Sequence, residues 1–206
     1  YTANGLARLG LQAGSYQIIA GRGFEWGIDS ANLTIRKGSH EKLTLTIHRE
    51  VPTEGLASCD THVHTFTYSR HGDATLEERI ITTAGEGIEL PIATDHNLQI
   101  DYRPALQRLQ MEKYFTPIIG NEVTTSVGHF NIFPVPAEAP LPDHRLTTWP
   151  EIIASIRKVP KVQAIILNHG RDLHSNVRPL GPANHIAVTG ENLHGWGFGE
   201  IGRAHV

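Results

Sequence analysis

The chain has little of what marks a disulfide-stabilised, membrane-spanning or nucleic-acid-binding protein. Cys59 is its single cysteine, which excludes an internal disulfide. It has no run of about 18 apolar residues of the kind that spans a bilayer. Its net charge of -3 gives no excess of basic residues for nucleic acid or an acidic membrane. The 206 residues, 39% hydrophobic and 19% charged, indicate one globular domain, or a small and a partial one, without a nucleic-acid partner or membrane insertion.

Histidine is the residue that the chain has in excess, with thirteen copies. Three of them fall within residues 59–73, CDTHVHTFTYSRHGD, together with two aspartates. Imidazoles and carboxylates so close together suggest a shared chemical task, which depends on where the predicted strands begin and end.

Residues 1–51 have an all-β pattern. Short runs bounded by glycines, GSYQIIAGRG, ANLTIRKG and KLTLTIHRE, show no helical period. In the last run Leu43, Leu45 and Ile47 alternate with polar residues, which predicts a strand with one buried face. We therefore expect a partial β-sandwich-like segment over residues 1–51, joined to the rest by residues 51–57.

Residues 58–206 have a mixed α/β pattern. Apolar runs typical of buried strands occur in LASCDTHVHT, LPIATDHN, TPIIGNEVTT and VQAIILNHG, and GHFNIFPV is a further candidate. Helical patterns lie between them, in TLEERIITTAGEGI, around Leu106 and in TTWPEIIASIRK. The first of these helices begins with a capping-box pair, Thr75 and Glu78. Alternating strands and helices predict parallel strands with right-handed crossovers.

Side chains that bind metals recur where the predicted strands end. Such ends carry His62 and His64, then Asp95 and His96, then Glu122 and finally His169, with His129 in the segment after Glu122. In parallel α/β folds the carboxyl ends of the strands form one edge, where active sites are built. Side chains two apart on a strand point to the same face, so His62 and His64 can bind one ion.

Histidines and carboxylates at one edge are ligands of first-row metals, and several of them imply more than one ion. Glu122 can bridge two ions, and paired ions lower the pKa of a bound water and hold a displacement at phosphorus or carbon. Asp60 and Asp95 are interpreted as acceptors that orient histidines. Asp73 lies near the start of the capped helix, so a role at the helix dipole and a role beside the metals are both open.

The motifs DTHVHT, SRHGDATLEE, GIELPIATDHN, GNEVTTSVGHFNIF and ILNHG, in this order, resemble the PHP superfamily, named for polymerase and histidinol phosphatase. The wording around GIELPIATDHN is closest to the carbaryl-hydrolase-like branch of these metallohydrolases. The resemblance covers about residues 58–170 and implies an incomplete, distorted TIM-like barrel with a trinuclear metal site. The ligands that it implies are His62, His64, His71, His96, Glu122, His129 and His169.

The chain departs from this family's pattern in two places. His169 is followed by Gly170 where the family often has proline, and the closing Asp-X-His motif is not found. We therefore expect a C-terminally truncated piece of a longer protein, and its last residues, EIGRAHV, can be reverse-translated into a common sequencing adapter. The stretch AGSYQIIAGRGFEWG resembles a transthyretin-like regulatory segment that often precedes such domains in exported bacterial proteins, which favours a periplasmic or secreted location.

The resemblance predicts a metal-dependent hydrolase whose metal-bound hydroxide attacks an ester, carbamate or phosphoester bond of a small-molecule substrate. The expected catalytic residues are Glu122, His129, His169 and Arg171, of which Arg171 suits an anionic group. Two or three divalent ions of zinc, manganese or iron are expected. The alternative is a non-catalytic metal-binding or surface module with a degenerate barrel. A role beside a DNA polymerase is a third hypothesis, which the charge of -3 and the sandwich-like segment disfavour.

Overall fold

The computed structural model describes residues 1–170, 178–181, 185–186 and 191–192. Within them the elements, in chain order, are β1 (Gly14–Ala20), β2 (Asp29–Ile35), β3 (Cys59–Val63), α1 (Phe66–Ser69), α2 (Leu76–Gly85), β4 (Leu90–Ala93), α3 (Arg103–Arg108), β5 (Ile118–Ile119), β6 (Asn121–Thr125), β7 (Gly128–Phe133), α4 (Trp149–Ile156), β8 (Ala164–Asn168), β9 (His185–Ile186) and β10 (Glu191–Asn192). The predicted mixed α/β class is confirmed. No helix in these ranges is both long and apolar enough to cross a bilayer.

The N-terminal part contains one antiparallel strand pair, β1 with β2. The prediction of a further strand over residues 43–47 is wrong, because the chain there makes no ladder with a neighbour. The backbone N–H of Thr46 instead donates to the Asp29 carboxylate at 2.7 Å. No residue before Val63 is buried, so residues 1–62 have no buried core of their own within the described chain. The expected sandwich stays a prediction.

Strands β3, β4 and β5 form a parallel sheet in that order, as predicted. Helix α2 connects β3 to β4 and buries Leu76, Ile80 and Ala84 in the core beside this sheet. Its predicted capping box is present, because the Thr75 hydroxyl accepts from the Glu78 N–H and the Glu78 carboxylate accepts from the Thr75 N–H. The cap fixes where the loop after β3 ends and the helix begins.

Strands β6, β7 and β8 form an antiparallel sheet, so the prediction of parallel strands throughout is wrong here. Thr125 pairs with Gly128, which leaves a connection of only two residues between β6 and β7. So short a connection can join only antiparallel strands, since a parallel crossover needs about a dozen residues or more. The amino end of β7 therefore lies at the same edge as the carboxyl ends of β6 and β8.

The two three-stranded sheets meet where β4 runs beside β5 and β6. The N–H of Gly120 donates to the Ala93 carbonyl at 3.0 Å, and the N–H of Asn97 donates to the Glu122 carbonyl at 2.9 Å. Gly120 leaves room for this approach, because a Cβ there would lie 2.9 Å from a backbone oxygen of β7. The strands of the described residues do not close into a barrel.

The antiparallel sheet has two unlike faces, because side chains alternate along each strand. Val123, Phe130 and Ile132 lie on one face and belong to a buried cluster with Ile152 and Ile156 of α4. The opposite face is polar and carries Glu122, Thr124, His129, Asn131 and Asn168. A three-stranded sheet thus packs its apolar face on α4 and turns its polar face to the histidines.

Candidate metal centre

The predicted ligands converge at one edge of the joined sheets. His62 lies in β3 and His64 directly after it, His96 follows β4, and His169 follows β8. His129 reaches the same edge differently from the prediction, because it is the second residue of the antiparallel strand β7 and pairs with the last residue of β8. Reversal of β7 places the start of that strand beside the ends of its neighbours.

Glu122 is the centre of the cluster. It is the second residue of β6, not the end of a strand as predicted, and its side chain is fully buried. Oε2 lies 2.9 Å from His64 Nε2, 3.0 Å from His96 Nδ1 and 3.3 Å from His62 Nε2. Oε1 lies 3.1 Å from His129 Nδ1 and 3.6 Å from His169 Nε2. A carboxylate that bridges two ions through both of its oxygens needs separate ligands around each oxygen, and Glu122 meets that condition.

The environment of Glu122 keeps it ionised. Burial raises the pKa of its carboxyl group, but hydrogen bonds to the surrounding imidazoles lower it more, so that the pKa lies far below its usual range. The strongest of these hydrogen bonds come from His129 and His62. A permanent negative charge therefore sits in the middle of the histidine cluster at neutral pH.

Two groups of three side chains could each hold a metal ion, and within each group the ligand atoms lie within 4.8 Å of one another. The first group is His64, His71 and His96, and the second is His62, Glu122 and His169. His71 comes from the loop between α1 and α2, and its Nε2 lies 2.5 Å from Nε2 of His96. The prediction that these histidines and Glu122 form groups able to hold a metal ion is confirmed, while the identity and number of ions stay predictions.

The hydrogen bonds of Ser69 determine which nitrogen of His64 carries a proton. Ser69 Oγ donates its single proton to Asp95 Oδ1 at 2.6 Å, and Asp95 is fully buried. Ser69 Oγ also lies 3.2 Å from His64 Nδ1, so it can only accept there. His64 therefore holds a proton on Nδ1 and presents a bare Nε2 to the cluster. The second Asp95 oxygen accepts from the Tyr102 hydroxyl at 2.6 Å.

The bare Nε2 of His64 lies close to two other ligand atoms. It lies 2.9 Å from Glu122 Oε2 and 2.9 Å from His62 Nε2. A proton on His62 serves one of these contacts but leaves the His64 nitrogen facing the carboxylate, acceptor against acceptor. A shared cation, either a proton or a metal ion, removes this repulsion. The donor set thus fits a first-row divalent metal, for which neutral imidazole and carboxylate are common ligands.

Thr124 determines which nitrogen of His96 carries a proton, as Ser69 does for His64. Thr124 Oγ1 donates to the Glu122 carbonyl at 3.2 Å and lies 2.6 Å from His96 Nδ1, where it accepts. The bare nitrogen of His96 is then Nε2, the atom that faces His71. Sequence reasoning missed both hydroxyls. Thr124 had a signal, since it lies two residues after Glu122 on the same strand face, whereas nothing in the sequence singles out Ser69.

Two of the aspartates predicted to support the site contact other groups than the imidazole rings. Asp60 accepts from the backbone N–H of His62 at 3.0 Å, so it holds the backbone of His62 rather than its imidazole ring. Asp73 is exposed and pairs with Arg79 at 2.7 Å, and Arg79 donates to the backbone carbonyl of His64 at 3.0 Å. Neither belongs to the two metal-capable groups. Arg171 lies outside the described residues.

Comparisons of the chain with protein-family models, curated proteins and solved structures gave no match. Support for a function therefore comes from the donor geometry and from the motifs that carry the resemblance.

Proposed function

We propose that the chain carries the metal centre of a metal-dependent hydrolase, which cleaves an ester, carbamate or phosphoester bond of a small molecule. The observation that supports this most is the division of Glu122, whose two oxygens face different histidines. Two or three divalent ions of zinc, manganese or iron are proposed. Membership of the PHP superfamily, in its carbaryl-hydrolase-like branch, is part of the same proposal.

The charge of the donor set supports hydrolysis. The two metal-capable groups contain one carboxylate, and their other ligands are imidazoles. Imidazoles are neutral as ligands, so divalent ions would keep most of their positive charge. Ions held there would supply Lewis acidity and lower the pKa of a nearby water. Such a centre suits attack on an electrophilic carbonyl or phosphoryl group.

Each proposed catalytic residue has a part that its own chemistry allows. Glu122, ionised and buried, holds the two halves of the cluster at a fixed spacing. His129 is nearly fully buried against Glu122, so it serves to bind and orient. His169 is a quarter exposed, so a substrate that enters from solvent would meet it first. Arg171 is proposed to contact an anionic substrate group.

A non-catalytic metal-binding module is the second candidate. It is favoured by the single carboxylate within the two described groups, since a second divalent ion there adds repulsion that few anionic ligands offset. The two candidates differ in turnover, so activity measurements separate them.

The test is a substrate panel with one leaving group, for example the carboxyl ester, the carbamate and the phosphate monoester and diester of 4-nitrophenol. Each is assayed with the chain loaded with zinc, manganese or iron and with the Glu122→Gln variant. Turnover of at least one ester that the variant loses supports the hydrolase. Turnover of phosphoesters alone would remove the carbamate assignment, and metal binding without turnover of any substrate favours the non-catalytic module.

A further inference from the structure

Two buried asparagines form a continuous chain of hydrogen bonds across the polar face of the antiparallel sheet. Asn131 Nδ2 donates to the backbone oxygen of Thr61 at 2.7 Å. Asn168 Nδ2 donates to Asn131 Oδ1 at 2.7 Å and to Glu122 Oε1 at 3.1 Å. Asn131 has no exposed surface, and Asn168 is 7% exposed. The chain runs from the residue before His62 to the central carboxylate.

The direction of this hydrogen-bond chain is fixed by its ends. The Thr61 carbonyl and the ionised Glu122 carboxylate can both only accept. Asn131 must therefore turn its amide nitrogen to Thr61 and its oxygen to Asn168. Asn168 then uses both of its N–H groups, one for Asn131 and one for Glu122. No other orientation of the two amides satisfies both ends.

This chain of hydrogen bonds also joins strands that do not pair with each other. Thr61 lies in β3 of the parallel sheet, whereas Asn131 and Asn168 lie in β7 and β8 of the antiparallel sheet. The asparagines thus set the distance between the backbone that carries His62 and the carboxylate that faces it.

We propose that Asn131 and Asn168 act as a directional amide relay, which positions Glu122 relative to His62 and thereby sets the affinity of the centre for its metal. This inference rests on the proposed function, because it assumes that the cluster binds an ion. Asn131 is a positioning residue that acts only through its neighbours, since its side chain bonds Thr61 and Asn168 and not a ligand.

Asn121 offers a matched control. It is also buried, at 1% exposure, and lies next to Glu122, but its side chain is on the apolar face of the sheet. Neither of its amide atoms has a hydrogen-bond partner within the described residues. Its removal therefore perturbs packing beside the site without breaking the relay.

The test compares the unchanged chain with Asn131→Ala, Asn168→Ala, the double variant and Asn121→Ala. Co(II) affinity is measured by competition with a chromogenic chelator, the visible Co(II) spectrum reports ligand geometry, and urea unfolding in a chelator reports the fold. Asn168→Ala should bind Co(II) about ten- to a hundredfold more weakly, as for other partners of metal ligands. Asn131→Ala should weaken binding severalfold and change the spectrum, and the double variant should be no weaker than Asn168→Ala alone. Asn121→Ala should keep the affinity and spectrum.

Multiplying effects in the double variant, or an unchanged affinity in Asn131→Ala, would overturn the relay. If Asn168→Ala does not fold, the comparison of Asn131→Ala with Asn121→Ala decides alone.

In the metal-free chain, Asn131→Ala should also shift the side-chain amide signals of Asn168 in NMR spectra, and unshifted signals contradict the relay without reference to metal. Metal binding with the coupling intact but without hydrolysis would remove the proposed hydrolase and leave the relay, and hydrolysis without coupling would do the reverse. A chain that binds no Co(II) removes both the centre and the positioning role.

Discussion

Nε2 of His64 lies 2.9 Å from Oε2 of Glu122, and neither atom has a proton to offer the other. Ser69 accepts a proton from the far nitrogen of His64, and the Glu122 carboxyl group is ionised. Two electron-rich atoms at that distance repel each other unless a cation joins them. Metal content therefore tests the role of this contact more directly than activity does.

Replacing His64 by alanine should lower the metal content by about one equivalent, because this side chain offers a bare nitrogen to the cluster. Elemental analysis of the purified chain measures the content. His144→Ala is the control, since His144 is exposed and lies outside the metal-capable groups. Equal metal content in the His64→Ala and His144→Ala chains would refute the ligand assignment.

Glu122→Gln should lose more than one metal equivalent, or lose turnover while the fold is kept. The amide retains the size of the side chain but has no charge and only one acceptor atom, so it cannot face two donor groups alike. Metal analysis and circular dichroism, run on the same sample, measure the two results. Retention of both the ions and the turnover would contradict a bridging role.

Acid should destabilise the metal-free chain partly through Glu122. Its pKa is depressed in the folded chain, so its contribution is complete above its unfolded-state pKa of about 4.3 and is lost as the pH falls further below that value. The free energy of unfolding, measured in a chelator from pH 6 to pH 3, should fall more steeply in the unchanged chain than in Glu122→Gln. Parallel curves would show that the carboxylate is not stabilised by its histidines.

Ser69→Ala should weaken metal binding about tenfold, because His64 loses the acceptor that holds its proton on Nδ1. Chelator competition measures the affinity. Ser126→Ala serves as the control, since Ser126 is exposed in the turn between β6 and β7. Affinity that falls equally in both variants, or in neither, speaks against a positioning role for Ser69.

Part of the site could be predicted because its residues follow apolar runs that the sequence displays. Histidines after β3, β4 and β8 belong to this class, and so does the helix with Thr75 and Glu78 at its start. His129 was placed near the site correctly, but its strand direction was not predicted, because a two-residue turn is a weaker sequence signal than strand alternation. The alternation over residues 43–47 predicted a strand that did not form, because a pattern of side chains does not supply a pairing partner.

The supporting hydroxyls and amides could not have been predicted in the same way. Ser69 reaches Asp95 and His64 from the end of a four-residue helix, and such a contact depends on how the loop after β3 turns. Asn131 bonds a backbone oxygen seventy positions earlier in the chain. Contacts of this kind are created by the meeting of two sheets, which local patterns do not encode.

Because the two faces of the antiparallel sheet differ, its strands tolerate no change of register. A shift of β7 by a single position would carry Phe130 into the space between the imidazoles and place His129 against the isoleucines of α4. One inserted residue within this strand would thus damage the hydrophobic interior and the ligand set at once. Lengthening the two-residue connection before it leaves both registers intact, so insertions should be accepted in that turn and rejected a few positions later.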